Sequence, residues 1–225
     1  MTRQAAWQAI VGGSFGYTYG GQGIWWACYN ESYVNFNCGD NGSPNFYVWY
    51  QTLNFSVGSV QMPLMKSVLT NITWWHLAPD ANIIKWASTA PQDTQQPYQK
   101  VNEDSNLVLA YLPASHCGTY NGSVQGLNTS SSYKVDWINP RNGSVVEVYN
   151  SVEGPTIPLP TAPDSDDWVL LVRPSGGDIG GEDSEGKSKS GYRMNFREPQ
   201  LESARKRLDL LNSKQLISFV TGMCR

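Results

Sequence analysis

A helix-to-strand transition near the start of the chain constrains its fold more than any other feature. Residues 3–26 read RQAAWQAIVGGSFGYTYGGQGIWW, and the apolar positions of Arg3–Val11 recur at helical spacing before two glycines end the pattern. In Ser14–Tyr19 aromatic residues alternate, which predicts a strand leading into a tryptophan-rich loop. A helix, a short strand and such a loop in this order are typical of a (β/α) barrel.

The rest of the chain divides by its hydrophobic period. A second helix is predicted over Ser59–Leu69, where apolar residues form one broad face, and beyond Asp80 the pattern changes to period two. Five strands are predicted: Asn82–Ser88, Leu107–Leu112, Tyr133–Ile138, Ser144–Tyr149 and Trp168–Val172. The third and fourth are joined by Asn-Pro-Arg-Asn-Gly at 139–143, a strong hairpin signal.

These patterns predict an α/β part followed by an all-β part. Residues 1–79 read as a fragment of a (β/α)8 barrel, because two βα units cannot close a barrel of eight. Residues 80–173 read as a small antiparallel β-sandwich. All nine tryptophans precede Arg173, whereas nine of the 16 Lys and Arg follow it, so residues 174–225 read as a flexible, disordered linker and an amphipathic helix.

Composition excludes some partners and suggests a compartment. The net charge is −3, which argues against nucleic acid as a partner, and no apolar stretch is long enough to cross a membrane. Seven Asn-x-Ser/Thr sequons occur, where roughly three are expected by chance. Asn41 is the weakest, because Pro44 follows its sequon; the six predicted glycosylation sites are Asn30, Asn54, Asn71, Asn121, Asn128 and Asn142.

The sequons indicate an extracellular protein, although the first twenty residues lack the apolar run of a signal peptide. Together the two observations predict that the natural N-terminus is missing. The four cysteines include Cys28 and Cys38, which flank an Asn-rich loop that a local disulfide would close. Four free thiols are the alternative, since connectivity cannot be read from one sequence. His76 and His116 have no metal-ligating neighbours at ligand spacing, so no metal site is predicted.

Several motifs occur in an order that resembles a known family. In chain order they are Arg3–Gly13, Gly-Tyr-Thr-Tyr-Gly at 16–20, Ile-Trp at 24–25, Gly-Ser-Val-Gln-Met at 58–62 and Leu-Ala-Pro-Asp at 77–80. This order resembles the apiosidase-like glycoside hydrolases, in which a TIM-barrel domain precedes a small all-β module named after the collagen-binding domain of a collagenase. Residues 108–113 and 135–143 resemble a strand and a hairpin of that module.

The resemblance implies retaining hydrolysis of a carbohydrate by two carboxylates, a nucleophile and an acid/base, about 5 Å apart. In relatives both lie upstream of the helix that begins here near Arg3, so this chain is expected to hold roughly the last two of eight βα units and no catalytic residue. The remaining acids of this part, Glu31, Asp40 and Asp80, do not fall at the end of a barrel strand. No cofactor is implied.

Aromatic residues are the candidates for substrate contact. Tyr17, Tyr19, Trp25 and Trp26 provide flat faces and phenol hydroxyls that suit a sugar, and strand alternation places the two tyrosines on one face. Packing in the core is the alternative, favoured for Tyr17 and Trp7 and left open for Tyr19 and Trp25.

Three functions therefore compete. The chain is an inactive fragment of a secreted glycoside hydrolase, or its β-sandwich is a binding module for carbohydrate or collagen, or that module only packs on the barrel and stabilises it. Val108, Ala110, Val135 and Trp137 resemble core rather than contact residues, which favours the third role over collagen binding. The apolar faces of residues 3–19 are expected to lack neighbouring strands that would cover them.

Overall fold

The computed structural model describes residues 2–20, 57–86, 97–114 and 120–176. These residues form two α-helices, one 3₁₀ helix and nine strands. The helices are α1 (Thr2–Val11), α2 (Val57–Thr70) and the 3₁₀ helix Trp74–His76. The strands are β1 (Leu77–Pro79), β2 (Ile84–Trp86), β3 (Tyr98–Asn102), β4 (Val108–Leu112), β5 (Gly122–Val124), β6 (Ser132–Ile138), β7 (Val145–Glu153), β8 (Ile157–Pro158) and β9 (Trp168–Pro174).

The strands form two sheets in which every pairing is antiparallel. The large sheet has the order β1-β3-β4-β9-β6-β7, and the small sheet has the order β2-β5-β8. Strands β4 and β9 occupy the centre of the large sheet; β4 is apolar throughout and β9 from Trp168 to Val172, as expected of strands covered on both faces. The described part of the chain is therefore mostly antiparallel sheet with two α-helices.

The large sheet is the middle layer of the molecule. Because side chains alternate along a strand, Val108, Ala110 and Leu112 of β4 face the small sheet and pack with residues such as Val124 and Ile157. The intervening residues of β4, Leu109 and Tyr111, belong to a second core that includes the buried stripes of α1 and α2. The helices thus cover one face of the large sheet and the small sheet covers the other.

The predicted hairpin is confirmed by the pairing of β6 with β7. Its loop closes through two backbone bonds, from Asn139 N to Ser144 O and from Gly143 N to Asn139 O, both 2.8 Å long. Gly143 has a φ of 75°, a left-handed conformation that favours glycine at this turn. The Asn139 side chain accepts from the Arg141 backbone N–H at 2.9 Å, which fixes the start of the loop.

The helices predicted at Arg3–Val11 and Ser59–Leu69 and the five strands predicted beyond Asp80 are confirmed, with shifted ends. Ser14–Tyr19 is the exception: these residues carry no strand, and Phe15 is 99% exposed. The prediction was wrong because a strand has to join a sheet, and neither sheet of the described residues includes this segment. Four short strands were missed, namely β1, β3, β5 and β8.

The expectation of uncovered apolar faces was wrong for α1. Its apolar residues Ala6, Trp7, Ile10 and Val11 are all buried, because they share a core with the large sheet and α2. Residues 177–225, with the predicted linker and helix, lie outside the described part of the chain. No helix among the described residues is long and apolar enough to cross a membrane.

Candidate aromatic site and the helix–sheet contact

The aromatic segment, residues 14–20, begins at the end of α1. The last turn is closed by Gly12 N to Gln8 O at 2.7 Å and Ser14 N to Ala9 O at 2.9 Å, while Gly13 has a φ of 116°. A glycine just past the helix end adopts this conformation without steric cost. The predicted glycine stop is therefore confirmed, and it turns the chain away from the helix axis into the aromatic segment.

Tyr19 lies against the first turn of α2. An added Cβ on Gly58 would lie 2.7 Å from the Tyr19 Oη and 2.8 Å from its ring carbons, so only glycine permits this approach. Tyr19 is half-buried, whereas Tyr17 is 36% exposed. The structure thus fixes one of the predicted sugar-contacting tyrosines and leaves the other on the surface; Trp25 and Trp26 lie outside the described residues.

The buried acid Asp167 connects the helices to the large sheet. Its side chain is 1% exposed and accepts two bonds from Arg3, Nε to Oδ2 at 2.8 Å and Nη2 to Oδ1 at 2.7 Å. The Tyr111 hydroxyl donates to Oδ2 at 2.8 Å. Burial and the Asp167 charge raise the pKa of Tyr111 far above its ordinary value, so the phenol remains a donor. We call these three residues the Arg3–Asp167–Tyr111 triad.

Trp7 extends the triad into the core. Its indole stacks on the Tyr111 ring, with ring centroids 6.2 Å apart and planes inclined by 4°. Both rings are fully buried, so the polar triad lies at the edge of an aromatic pair. The predicted core role of Trp7 is therefore confirmed.

A second contact joins α2 to the β6–β7 hairpin. Arg141 lies 5.2 Å from the Trp168 ring centroid, donates to Asp164 at 2.9 Å and also pairs with Asp166. Gln61 of α2 donates to the Arg141 carbonyl at 3.4 Å. Partial burial raises the pKa of Asp164, but hydrogen bonds from Trp168 and Arg141 outweigh it and hold that pKa below its ordinary value.

Several of the described carboxylates have structural partners. Asp136, which is buried, accepts from Arg173 at 3.0 Å, and Glu147 pairs with Lys134. Asp80 accepts from the Asn82 backbone at 2.7 Å, which is a turn contact. A glycosidase acid needs a raised pKa, and the environment of Asp164 does the opposite. Glu31 and Asp40 lie outside the described residues.

Some of the remaining predicted sites lie within the described part of the chain and others lie outside it. Cys28, Cys38, Asn30 and Asn54 lie outside the described residues, and the disulfide and all six glycosylation sites stay predictions. Among the other sequons, Asn121 and Asn128 are exposed, while Asn71 and Asn142 are half-buried. The described residues contain no cluster of three or more metal-ligating side chains. His76 lies with its ring edge against Trp75, at a centroid distance of 5.8 Å.

Sequence reasoning missed the triad and the contact between Tyr19 and Gly58. Arg3 and Asp167 are 164 positions apart, and no local period links an acid before a strand to an arginine that begins a helix. A weak signal existed in the polar pair Asp166-Asp167 directly before the apolar run of β9, since a buried acid there needs a cationic partner.

The comparisons with known proteins agree with this fold. Residues 1–76 match the family described as "Apiosidase-like, catalytic domain". A solved structure titled "Glycoside hydrolase" aligns with a TM-score of 0.63 and 18% identity, over 79% of this chain and 37% of that one. A glycoside hydrolase family 5 protein from Bacteroides vulgatus ATCC 8482 aligns with a TM-score of 0.63 and 17% identity, over 80% and 37%. No curated protein matches.

The chain spans a little over a third of the length of these solved structures. At such identities the likeness shows the fold, while the family match over residues 1–76 is a likeness of sequence. In both respects, the chain resembles part of a glycoside hydrolase.

Proposed function

We propose that the chain is the C-terminal portion of a secreted glycoside hydrolase-like protein. Residues 1–79 contribute the end of the catalytic barrel, residues 80–173 form a β-sandwich module, and residues 174–225 form a linker and helix. The observation that carries the proposal is the match of residues 1–76 to the apiosidase-like catalytic domain. The substrate class is a glycoside, by the same likeness.

On this proposal the chain is inactive alone. Retaining hydrolysis needs two free carboxylates about 5 Å apart, whereas the described buried acids, Asp136 and Asp167, each bind an arginine. The chain's contribution to the site is the aromatic rim of Tyr17, Tyr19 and the tryptophans 25 and 26. Of these, Tyr19 supports the proposal best, because its packing on Gly58 would hold its ring in one position for a sugar.

The all-β part acts as a scaffold for the barrel segment. Burial of α1 against the large sheet and the Arg3–Asp167–Tyr111 triad support this role. We favour it over carbohydrate or collagen binding, because the large aromatic residues Tyr133, Trp137 and Trp168 of the sheet are buried rather than displayed for a partner.

The test is turnover of a panel of aryl glycosides by the full chain, with folding verified by circular dichroism. We expect no hydrolysis above buffer. Hydrolysis that disappears in Glu31→Gln but persists in the matched turn variant Asp80→Asn would overturn the proposal, since it would place a catalytic acid within this chain.

A further inference from the structure

One exposed turn has the features of a modification site. Residues 128–130 read Asn-Thr-Ser and join β5 to β6, and all three are exposed. We propose that Asn128 is the attachment point of an N-linked oligosaccharide. This inference concerns the surface of the all-β part; it rests on the proposal that the protein is secreted, but not on its relation to a hydrolase.

The backbone of the turn is held firmly while its side chains face water. Asn128 N donates to Ser105 O at 3.1 Å, and the buried Tyr133 donates its hydroxyl to Asn128 O at 2.9 Å. The preceding residue, Leu127, donates to Pro155 O at 3.2 Å. An oligosaccharide attached here projects from a fixed base, so the fold does not have to rearrange to accommodate it.

The side-chain amide divides its two polar atoms between the fold and the sugar. Asn128 Oδ1 accepts from the Ser130 backbone N–H at 2.9 Å, which is an Asx turn. Transfer uses the other atom: Nδ2 loses a proton and forms a bond to C1 of the first sugar. The C1–O bond to a polyprenyl-pyrophosphate donor breaks, and polyprenyl pyrophosphate leaves, with the proton from Nδ2 neutralising one of its negative charges. The product keeps the amide oxygen, so the Asx turn survives modification.

The position of the turn separates it from the helices. Ser132 follows the turn and pairs with Ser175 at the end of β9, whereas Asp167, which binds Arg3, lies just before the start of that strand. A strand of this length spans roughly 23 Å. An oligosaccharide on Asn128 therefore stands at the opposite end of the sheet from the triad and does not compete with α1 for space.

The same geometry is less favourable at Asn142. That residue is half-buried in the hairpin loop, next to Arg141, whose carbonyl accepts from Gln61 of α2. Its Oδ1 also accepts from the backbone two residues on, at 2.9 Å, so the local turn is alike and the surroundings differ. Asn142 is thus an internal comparison site for occupancy.

The experiment expresses the full chain behind a heterologous secretory leader in a eukaryotic host. Occupancy is read by mass spectrometry after an amidase that removes the sugar and leaves Asp. We expect most copies to be modified at Asn128, with occupancy there exceeding that at Asn142. A folded, secreted chain with Asn128 unmodified would overturn the proposal, as would occupancy at Asn142 that exceeds it.

Two variants separate the sugar from the turn. Ser130→Ala destroys the sequon but keeps the backbone donor of the Asx turn, whereas Asn128→Gln removes both. We expect both to lose the modification at position 128, and Ser130→Ala to melt close to the enzymatically deglycosylated chain, above Asn128→Gln. If secretion fails, the chain is translated in the presence of microsomes and occupancy at position 128 is read by the same mass spectrometry. A sugar that persists at position 128 in Ser130→Ala counts against the site.

Discussion

Two adjacent segments, α1 and residues 14–20, meet opposite fates although both come from the same barrel-like pattern. The apolar residues of the buried stripe of α1, Ala6, Trp7, Ile10 and Val11, are 0–3% exposed, whereas Phe15, four positions beyond the helix, is 99% exposed. A helix satisfies its backbone hydrogen bonds internally and needs only a surface to cover its apolar stripe. A strand needs a partner for its backbone as well.

The large sheet supplies the cover but not the partner. Its helix-facing side chains, such as Leu109 and Leu171, meet α1 and α2, while its backbone groups are used in its own ladder. A helix can therefore be covered by the face of this sheet, while the segment that follows it stays irregular. Four measurements of stability test this contrast between the buried helix and the exposed segment: two substitutions, the removal of one charge and a change of pH.

The largest expected effect distinguishes the two segments directly. Trp7→Ala removes a fully buried indole that stacks on Tyr111, so the free energy of unfolding should fall by about 3–5 kcal/mol. Phe15→Ala, in the exposed segment, should change it by less than about 0.5 kcal/mol. Urea unfolding of both variants provides the measurement, and comparable losses would show that the contrast in burial does not govern stability.

Removal of the acid in the triad should have the next largest effect. Asp167→Ala leaves the Arg3 guanidinium and the Tyr111 hydroxyl without their common acceptor. Loss of one partner of a buried ion pair costs roughly 3 kcal/mol. Its neighbour Asp166 is 62% exposed, and Asp166→Ala is the matched control, with an expected loss under about 1 kcal/mol. Equal denaturation midpoints would contradict a structural role for the triad.

Helices and strands were predictable from the sequence where apolar residues follow a regular spacing or form an uninterrupted run. The helix stripe around Trp7 and the uninterrupted apolar run of β4 were sufficient for this, because burial on one face or on both leaves a direct pattern. Strand β3 gave no such signal: Gln99 and Lys100 are buried at 7% and 4% exposure. Polar residues with long stems enter the core there, with Lys100 Nζ 5.9 Å from the Trp74 ring centroid.

At the candidate site, the sequence predicted which kinds of residue take part but not which residues contact each other. Alternation identified Tyr19 as a candidate, but its packing partner Gly58 is far along the chain, and only the fold brings them together. The short strand β8 has two residues, too few for any period. Short elements and long-range pairs depend on the tertiary arrangement, which a single sequence does not contain.

The contact between Tyr19 and Gly58 provides a test with a smaller expected effect. Tyr19 belongs to the exposed segment, and its ring packs on α2. Gly58→Ala places a methyl group within 2.8 Å of the tyrosine ring, and such overpacking costs about 1–3 kcal/mol. In a Tyr19→Ala background the same substitution should cost much less, because the obstruction is gone. A double-mutant cycle in urea measures the coupling; independent effects would mean that Tyr19 does not rest on α2.

The smallest expected effect is a pH dependence at the hairpin contact. Hydrogen bonds from Trp168 and Arg141 hold the pKa of Asp164 below its ordinary value. At a pH between the folded and unfolded pKa values of this carboxyl, the unfolded chain therefore binds more protons than the folded one. The stabilisation is complete above the unfolded pKa of about 4 and is lost as pH falls through the folded value. Urea midpoints at about pH 5 and about pH 3 measure the loss. We expect Asp164→Asn to reduce this pH dependence of the midpoint, and Glu103→Gln, an exposed control, to keep a larger pH dependence than Asp164→Asn. An identical pH dependence in both variants would show that the Arg141 contact contributes nothing to it.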